Sequence, residues 1–207
     1  MKPVIITLSG YKGVGKTTFA FKLRGFLLWA NKKQLPLNIK TLALADTLKE
    51  EVSKAFGFSL KEIEVLKREE NKKVLNDMNM RELLIDFGQK RKEEFGKDFW
   101  CNTALDKVLN DVSDDEICVW IVPDVRFPEE QEFFKKTDTA MLYSIWLERL
   151  GFSLQESELD YAEKWYDKMS FDKTVLLKEE LDLYEDLVEL TIRLKDTIKQ
   201  YYITEIH

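Results

Sequence analysis

The 207-residue chain is 44% hydrophobic and 34% charged, with a formal net charge of −6 and one histidine, the last residue, His207. That size and balance predict one soluble α/β domain with a substantial core, and no apolar run approaches the ~20 residues of a membrane span. A lone terminal histidine excludes a Ser-His-Asp hydrolase and a histidine-ligated metal site, so any general-base work falls to Asp or Glu.

In chain order, the apolar run Val4–Leu8 reads as a buried strand. The segment Gly10-Tyr11-Lys12-Gly13-Val14-Gly15-Lys16-Thr17 follows, and then Phe19, Ala20, Leu23, Leu27 and Ala30 recur at helical spacing. Strand, Gly-x-x-x-x-Gly-Lys-Thr and helix together make a phosphate-binding loop. Its glycines let backbone N–H groups turn toward an anion, and the helix N-terminus adds partial positive charge. Gly10, Lys12, Gly13, Val14, Gly15, Lys16, Thr17 and Thr18 are the expected phosphate-binding residues. Lys16 supplies charge to the β- and γ-phosphates, and the Thr17 hydroxyl suits Mg²⁺. Residues 1 to 45 contain no Asp or Glu, whereas 152 to 189 is strongly acidic. A polyanionic ligand at the N-terminal loop fits that asymmetry; ordinary surface charge accounts for Lys32 and Lys33.

Further strands are expected at Ile39–Leu44, Ile117–Val122, Met141–Leu147 and Thr174–Leu177. Between them Thr47-x-x-Glu50, Ser59-x-x-Glu62 and Asn79-x-x-Glu82 resemble helix capping boxes. Gly57 and Gly96 suit helix stops, and Pro128 a first helical turn. A last helix is expected over about 181 to 200, with Leu183, Leu187, Leu190, Leu194 and Ile198 as its core-facing stripe. Alternating strands and helices predict an α/β, three-layer fold, with an about five-stranded parallel sheet and helices on both faces. Long insertions are read at 58–112, 126–140 and 150–173. Cys101 and Cys118 show no metal-ligand spacing and read as reduced thiols.

Ligands of such sheets bind at the C-terminal strand ends, which directs attention to the residues found there. Asp46 is either a helix N-cap or a hydrogen-bond acceptor for a bound sugar or base. Asp124, closing an apolar strand in Val122-Pro123-Asp124-Val125-Arg126, suits the magnesium side of a phosphate site; the alternative is a turn held by an Asp–Arg pair. Arg126 and Arg149 leave strand ends, and a guanidinium fork matches phosphate. In the long insertion Arg81 and Arg91 stand ten residues apart, roughly three helical turns. They would either grip an acceptor phosphate or sit solvated on a helix surface. The polar and aromatic segment with Ser157, Glu158, Asp160, Tyr161, Trp165 and Tyr166 reads as a lid or as a plain surface loop.

Taken together, these residues resemble the bacteriophage-type deoxynucleoside monophosphate kinases, in order through most of the chain. The resemblance runs through Gly10–Thr17, Leu44-Ala45-Asp46-Thr47-Leu48-Lys49, Arg81-Glu82-Leu83-Leu84 with Phe87-Gly88 and Arg91, and Asp98-Phe99-Trp100. It continues through Val122-Pro123-Asp124-Val125-Arg126-Phe127-Pro128-x-Glu130 and Ser157-Glu158. The chain departs from the pattern at Gln89, where a threonine is usual, and at Leu177-Lys178-Glu179-Glu180, where an Asn-Asp-Gly type turn is usual.

The resemblance implies a single P-loop kinase domain over 1–207. Its core would be 1–57, 113–149 and 170–207, with an acceptor-binding helical insertion at about 58–112 and a lid at about 150–169. It implies ATP- and Mg²⁺-dependent phosphoryl transfer to a (deoxy)nucleoside 5′-monophosphate. Lys16, Arg126, Arg149 and Asp124 would be catalytic, and Thr17 and Asp124 would hold the metal. Asp46, Lys49, Arg81, Gly88, Arg91, Trp100, Arg126 and Glu158 would bind the acceptor. The alternatives are a P-loop kinase for another phosphorylated small molecule and a nucleotide-dependent switch or assembly NTPase. The partner expected is the monophosphate substrate, with neither nucleic acid nor membrane, and a homodimer is compatible with this reading. One lysine followed directly by strand and loop predicts no signal peptide, and hence a cytoplasmic protein, in a host's cytoplasm if phage-encoded.

Overall fold

The computed structural model describes residues 2–32, 34–69, 71–113, 115–151, 161–177 and 180–206. The chain divides into two compact units, Met1–Leu42 with Lys107–His207, and Ala43–Asp106.

The first unit holds strands β1 (Val4–Ser9), β2 (Leu37–Thr41), β5 (Ile117–Val122), β6 (Met141–Arg149) and β7 (Lys173–Leu177) in one parallel sheet of order β2-β5-β1-β6-β7. All five strands expected from the sequence are present. Helix α1 (Lys16–Asn31) and helix α7 (Glu180–Ile206) pack on each other. Phe19, Ala20, Leu23 and Leu27 of α1 join Leu187, Leu190, Leu194 and Ile198 of α7 in one core with Val4, Ile6 and Leu8. Strand side chains alternate between faces, and the opposite set, Ile5, Thr7 and Ser9, is also buried. Both faces are therefore covered, which is why these strands read as continuous apolar runs. The sheet with helices on both faces is the three-layer α/β architecture expected.

The boundary between the second strand and the helix after it differs from the sequence expectation. The second strand ends at Thr41, and helix α2 (Leu44–Phe56) starts where a strand end was expected. Ala43 is its N-cap, extended at φ −83° and ψ 141°, and Leu44 is buried as the first helical residue. A short apolar run does not distinguish a strand end from a buried helix start. Asp46 is consequently not the N-cap but the third helical residue, its carboxylate accepting from the Ala43 N–H at 3.4 Å. The expected Thr47–Glu50 capping box does not form; Thr47 is buried and donates to the Leu44 carbonyl at 2.6 Å. The 126–140 stretch is one short helix, α6 (Pro128–Lys136), with proline in its first turn as expected.

The second unit contains α2, α3 (Leu60–Leu66), the hairpin β3 (Lys73–Leu75) and β4 (Met78–Asn79), and α4 (Met80–Phe95). Helix α5 (Phe99–Asn110) begins in it. Its core is Val52, Ile63, Met80, Leu83 and Leu84. Here the expected capping boxes form. Ser59 and Glu62 bracket the start of α3, and Asn79 and Glu82 that of α4. Each pair satisfies two backbone donors reciprocally. Gly57 and Gly96 close α2 and α4. Cys101 and Cys118 are buried thiols not joined in a disulfide. Among the described residues no helix is long and apolar enough to cross a membrane.

Candidate functional site

The loop between β1 and α1 sits where the chain connections diverge, since β1 leads toward β2 on one side while its neighbour β6 leads toward β7 on the other. Such a switch point opens a crevice at the strand C-termini. Gly10 enters the loop at φ +148°, and a Cβ there would lie 2.5 Å from the Leu147 carbonyl oxygen of β6. Both the conformation and the closeness of the neighbouring backbone demand glycine. Gly13 and Gly15 also hold positive φ, and Gly15 is the N-cap of α1. The first turn of α1 carries no acidic residue, so its positive end is not offset locally. Val14 is fully buried and pins the loop from beneath, while Lys12, Thr17 and Thr18 are exposed.

Lys16 folds its ammonium back into the loop, donating to the Gly10 carbonyl at 2.5 Å and the Tyr11 carbonyl at 2.9 Å. A second donor reaches the same Gly10 oxygen: the Tyr166 hydroxyl, at 3.2 Å. Tyr166 belongs to a 3-10 helix, Tyr161–Lys168, and is buried. Its ring meets Trp146 edge-on at 4.9 Å and Tyr11 at 5.6 Å, and Trp146 also contacts Phe171 at 5.2 Å. The sequence placed Tyr166 in a segment read as a lid or as a plain surface loop and gave it no site role; an aromatic spacing signal is too common to single it out. Residues 152–160, and Glu158 with them, lie outside the described residues.

Asp124 follows β5, the strand beside β1, with Thr7 in register with Val122. The Ser9 hydroxyl donates to the Val125 carbonyl at 2.8 Å, which ties the two strand ends together. Asp124 is half-buried there and Arg126 is exposed. The Glu130 carboxylate accepts from the Arg126 and Phe127 N–H groups at 2.9 and 3.2 Å, fixing the turn into α6. Arg149 ends β6 exposed, in register with Leu177. Magnesium takes one or two protein ligands and completes its shell with phosphates and water. One exposed hydroxyl, Thr17, and one half-buried carboxylate, Asp124, fit that demand; no cluster of three or more metal-ligating side chains occurs among the described residues.

In the second unit the expected acceptor residues form charged pairs. Lys49 donates to Asp46 at 2.8 Å and lies 2.8 Å from Glu64. Burial opposes its charge, but the hydrogen bonds to Asp46 and Glu64 outweigh burial and hold its pKa above the ordinary lysine value. The hydrogen bond from Lys49 in turn holds Glu64 below the usual carboxylate range. Lys67, which sequence reasoning missed, is pushed below the ordinary lysine value by burial and then by the positive charges of Lys49 and Arg81. Lys49, Lys67 and Arg81 therefore act on one charged cluster, with Asp46 and Glu64 interleaved among them, a grouping no linear spacing reveals. Arg91 lies over the rings of Phe87 and Phe95 at 5.1 and 5.3 Å, with Glu94 at 3.3 Å and Glu51 at 3.9 Å. Gly88 is buried against Leu48, and its carbonyl accepts from the Trp100 indole N–H at 3.2 Å.

Two clefts are lined by residues other than those of the loop. One, about 250 Å³, runs beside β7 and α7, from Lys173 to Leu176 and Glu189 to Arg193. The other, about 480 Å³, is in the second unit, with Phe58, Val65 and Val74 on its walls and Lys61, Lys72 and Lys73 around it.

No protein-family model matches the chain, and no curated protein matches it. Solved structures do. A mutant of the APS kinase CysC from Mycobacterium tuberculosis is 14% identical, with a TM-score of 0.44 over 94% of this chain and 98% of that one. A plasmid partition protein from Borrelia burgdorferi is 18% identical, with a TM-score of 0.36 over 93% and 99% of the two chains. A putative plasmid partition protein of the same organism, bound to AMPPNP, is 17% identical, with a TM-score of 0.37 over 93% and 99%. The parallel sheet, the glycine-rich loop after β1 and the helix that follows make up a three-layer α/β fold.

Proposed function

We propose that the protein is a nucleoside monophosphate kinase, moving the γ-phosphoryl group of ATP·Mg²⁺ to a (deoxy)nucleoside 5′-monophosphate. The observation that carries the donor half is the loop: Gly10 locked against the Leu147 carbonyl, with the Lys16 ammonium held inside the turn. When ATP enters, Lys16 exchanges two carbonyl oxygens for phosphate oxygens, a stronger charge-assisted interaction. Thr17 and Asp124 would hold the magnesium ion, which offsets charge on the transferring group. Arg126 and Arg149, exposed at strand ends, would take up charge as it moves. A monophosphate oxygen is already anionic, so no strong base is required; that agrees with a chain lacking an internal histidine.

The acceptor assignment rests on the resemblance and on the charged groups of the second unit. Lys49, Arg81 and Lys67 supply positive charge, and Asp46 supplies an acceptor for a sugar or base. Arg91 would act through its guanidinium only by exchanging Glu51 and Glu94 for phosphate. The test is ADP release from ATP·Mg²⁺ against all ribo- and deoxynucleoside monophosphates. Release dependent on one or a few monophosphates supports the reading. ATP hydrolysis indifferent to every monophosphate would instead favour an NTPase that acts without a small acceptor.

A further inference from the structure

We propose that Tyr166 is a positioning residue for the phosphate loop, holding the Gly10 peptide in place when Lys16 leaves it for a nucleotide. The inference rests on reading Gly10–Thr17 as a nucleotide phosphate site. The Gly10 carbonyl has two lone pairs and receives two donors, Lys16 Nζ at 2.5 Å and Tyr166 Oη at 3.2 Å. These donors differ in what nucleotide binding does to them. Lys16 must swing from the carbonyl to a phosphate. Tyr166 has no reason to move, because its ring is buried and wedged against Tyr11, Trp146 and, through Trp146, Phe171.

In the bound state the Tyr166 hydroxyl thus remains on an oxygen that Lys16 has vacated. Gly10 is itself buried, and its other side is closed by Leu147. A buried carbonyl that loses its donors carries the desolvation penalty of an unsatisfied acceptor. Since C=O and N–H point oppositely across a trans peptide, the Tyr166 bond also fixes the direction of the Tyr11 N–H at the loop entrance. The 3-10 helix therefore supports the loop through one hydroxyl whose value rises when nucleotide binds.

The experiment compares the full-length wild type, Tyr166→Phe and Lys16→Ala by calorimetric titration with ATP·Mg²⁺ and by melting without nucleotide. Tyr166→Phe keeps the ring contacts and removes only the hydroxyl. Without nucleotide, Lys16 still serves the Gly10 carbonyl, so the melting temperature should fall by no more than about 3 °C. The Kd for ATP should rise about tenfold, because the orphaned carbonyl is felt in the bound state. A purely structural tyrosine would lower the melting temperature and leave the Kd of the folded protein within about twofold, and that result overturns the proposal. Wild type that binds ATP no better than Lys16→Ala would overturn the reading of the loop, and this inference with it. Wild type that binds, beside a Tyr166→Phe that binds equally, overturns this inference alone.

Discussion

The loop after β1 and the charged helices α2 and α4 both carry cationic side chains suited to phosphate, yet they are built by different means. In the loop the determinants are backbone: positive φ at Gly10, Gly13 and Gly15, and a carbonyl of β6 too close to admit a Cβ. In the second unit they are side chains already engaged: Lys49 between Asp46 and Glu64, Arg91 between aromatic rings and two glutamates. A backbone cradle is preorganised and waits for an anion. A set of ion pairs must exchange partners before it can hold one, which costs binding energy but discriminates among ligands.

Two glycines test this contrast most sharply. Gly10→Ala forces a Cβ onto the Leu147 oxygen at positive φ and should cost on the order of 3 kcal/mol or more, read as a lowered urea midpoint. A midpoint unchanged from wild type would mean the loop is not rigidly framed by β6. Next in size, Lys16→Met should lower the rate of phosphoryl transfer on the order of 10²-fold with the fold intact, as for removal of a single charge-stabilising donor. Near-normal turnover would remove Lys16 from the mechanism.

Gly88→Ala should do the opposite of Gly10→Ala. Its Cβ would meet Leu48 at 3.5 Å, an ordinary contact, so the helix gains up to about 1 kcal/mol from the better helix former. If that variant is stable but its KM for a monophosphate rises, Gly88 is where ligand comes close. If KM holds, its role is only to accept the Trp100 indole and admit Leu48.

The smallest effect concerns acid stability. Glu64 has its folded pKa depressed by the Lys49 hydrogen bond. Its contribution is therefore present above the unfolded carboxylate value of about 4.3 and lost as pH falls through the lower folded value. Because its side chain is 46% exposed, the contribution is a few tenths of a kcal/mol. Glu64→Gln should flatten the acid limb of stability against pH by that amount; an unaltered limb would show that the Lys49 pair contributes nothing measurable.

Much of the molecule was legible in the chain because local signals agreed with the global fold. The boxes at Ser59–Glu62 and Asn79–Glu82 formed where both partners sat beside a helix start. The Thr47–Glu50 pattern failed because Leu44, equally apolar in strand or helix, had already begun the turn. Capping chemistry is local, but which residue becomes the cap depends on where the preceding strand stops pairing. β2 leaves β5 after Thr41 pairs with Ile121.

By itself the sequence determined the strands, the phosphate loop and the last helix, since periodicity and glycine placement act over a few residues. Only the tertiary structure decided which strand frames Gly10, that Tyr166 returns across 156 positions to its carbonyl, and that Lys67 joins Lys49 and Arg81. Those relations depend on sheet order and burial, which couple residues far apart in the chain and leave no spacing to be read.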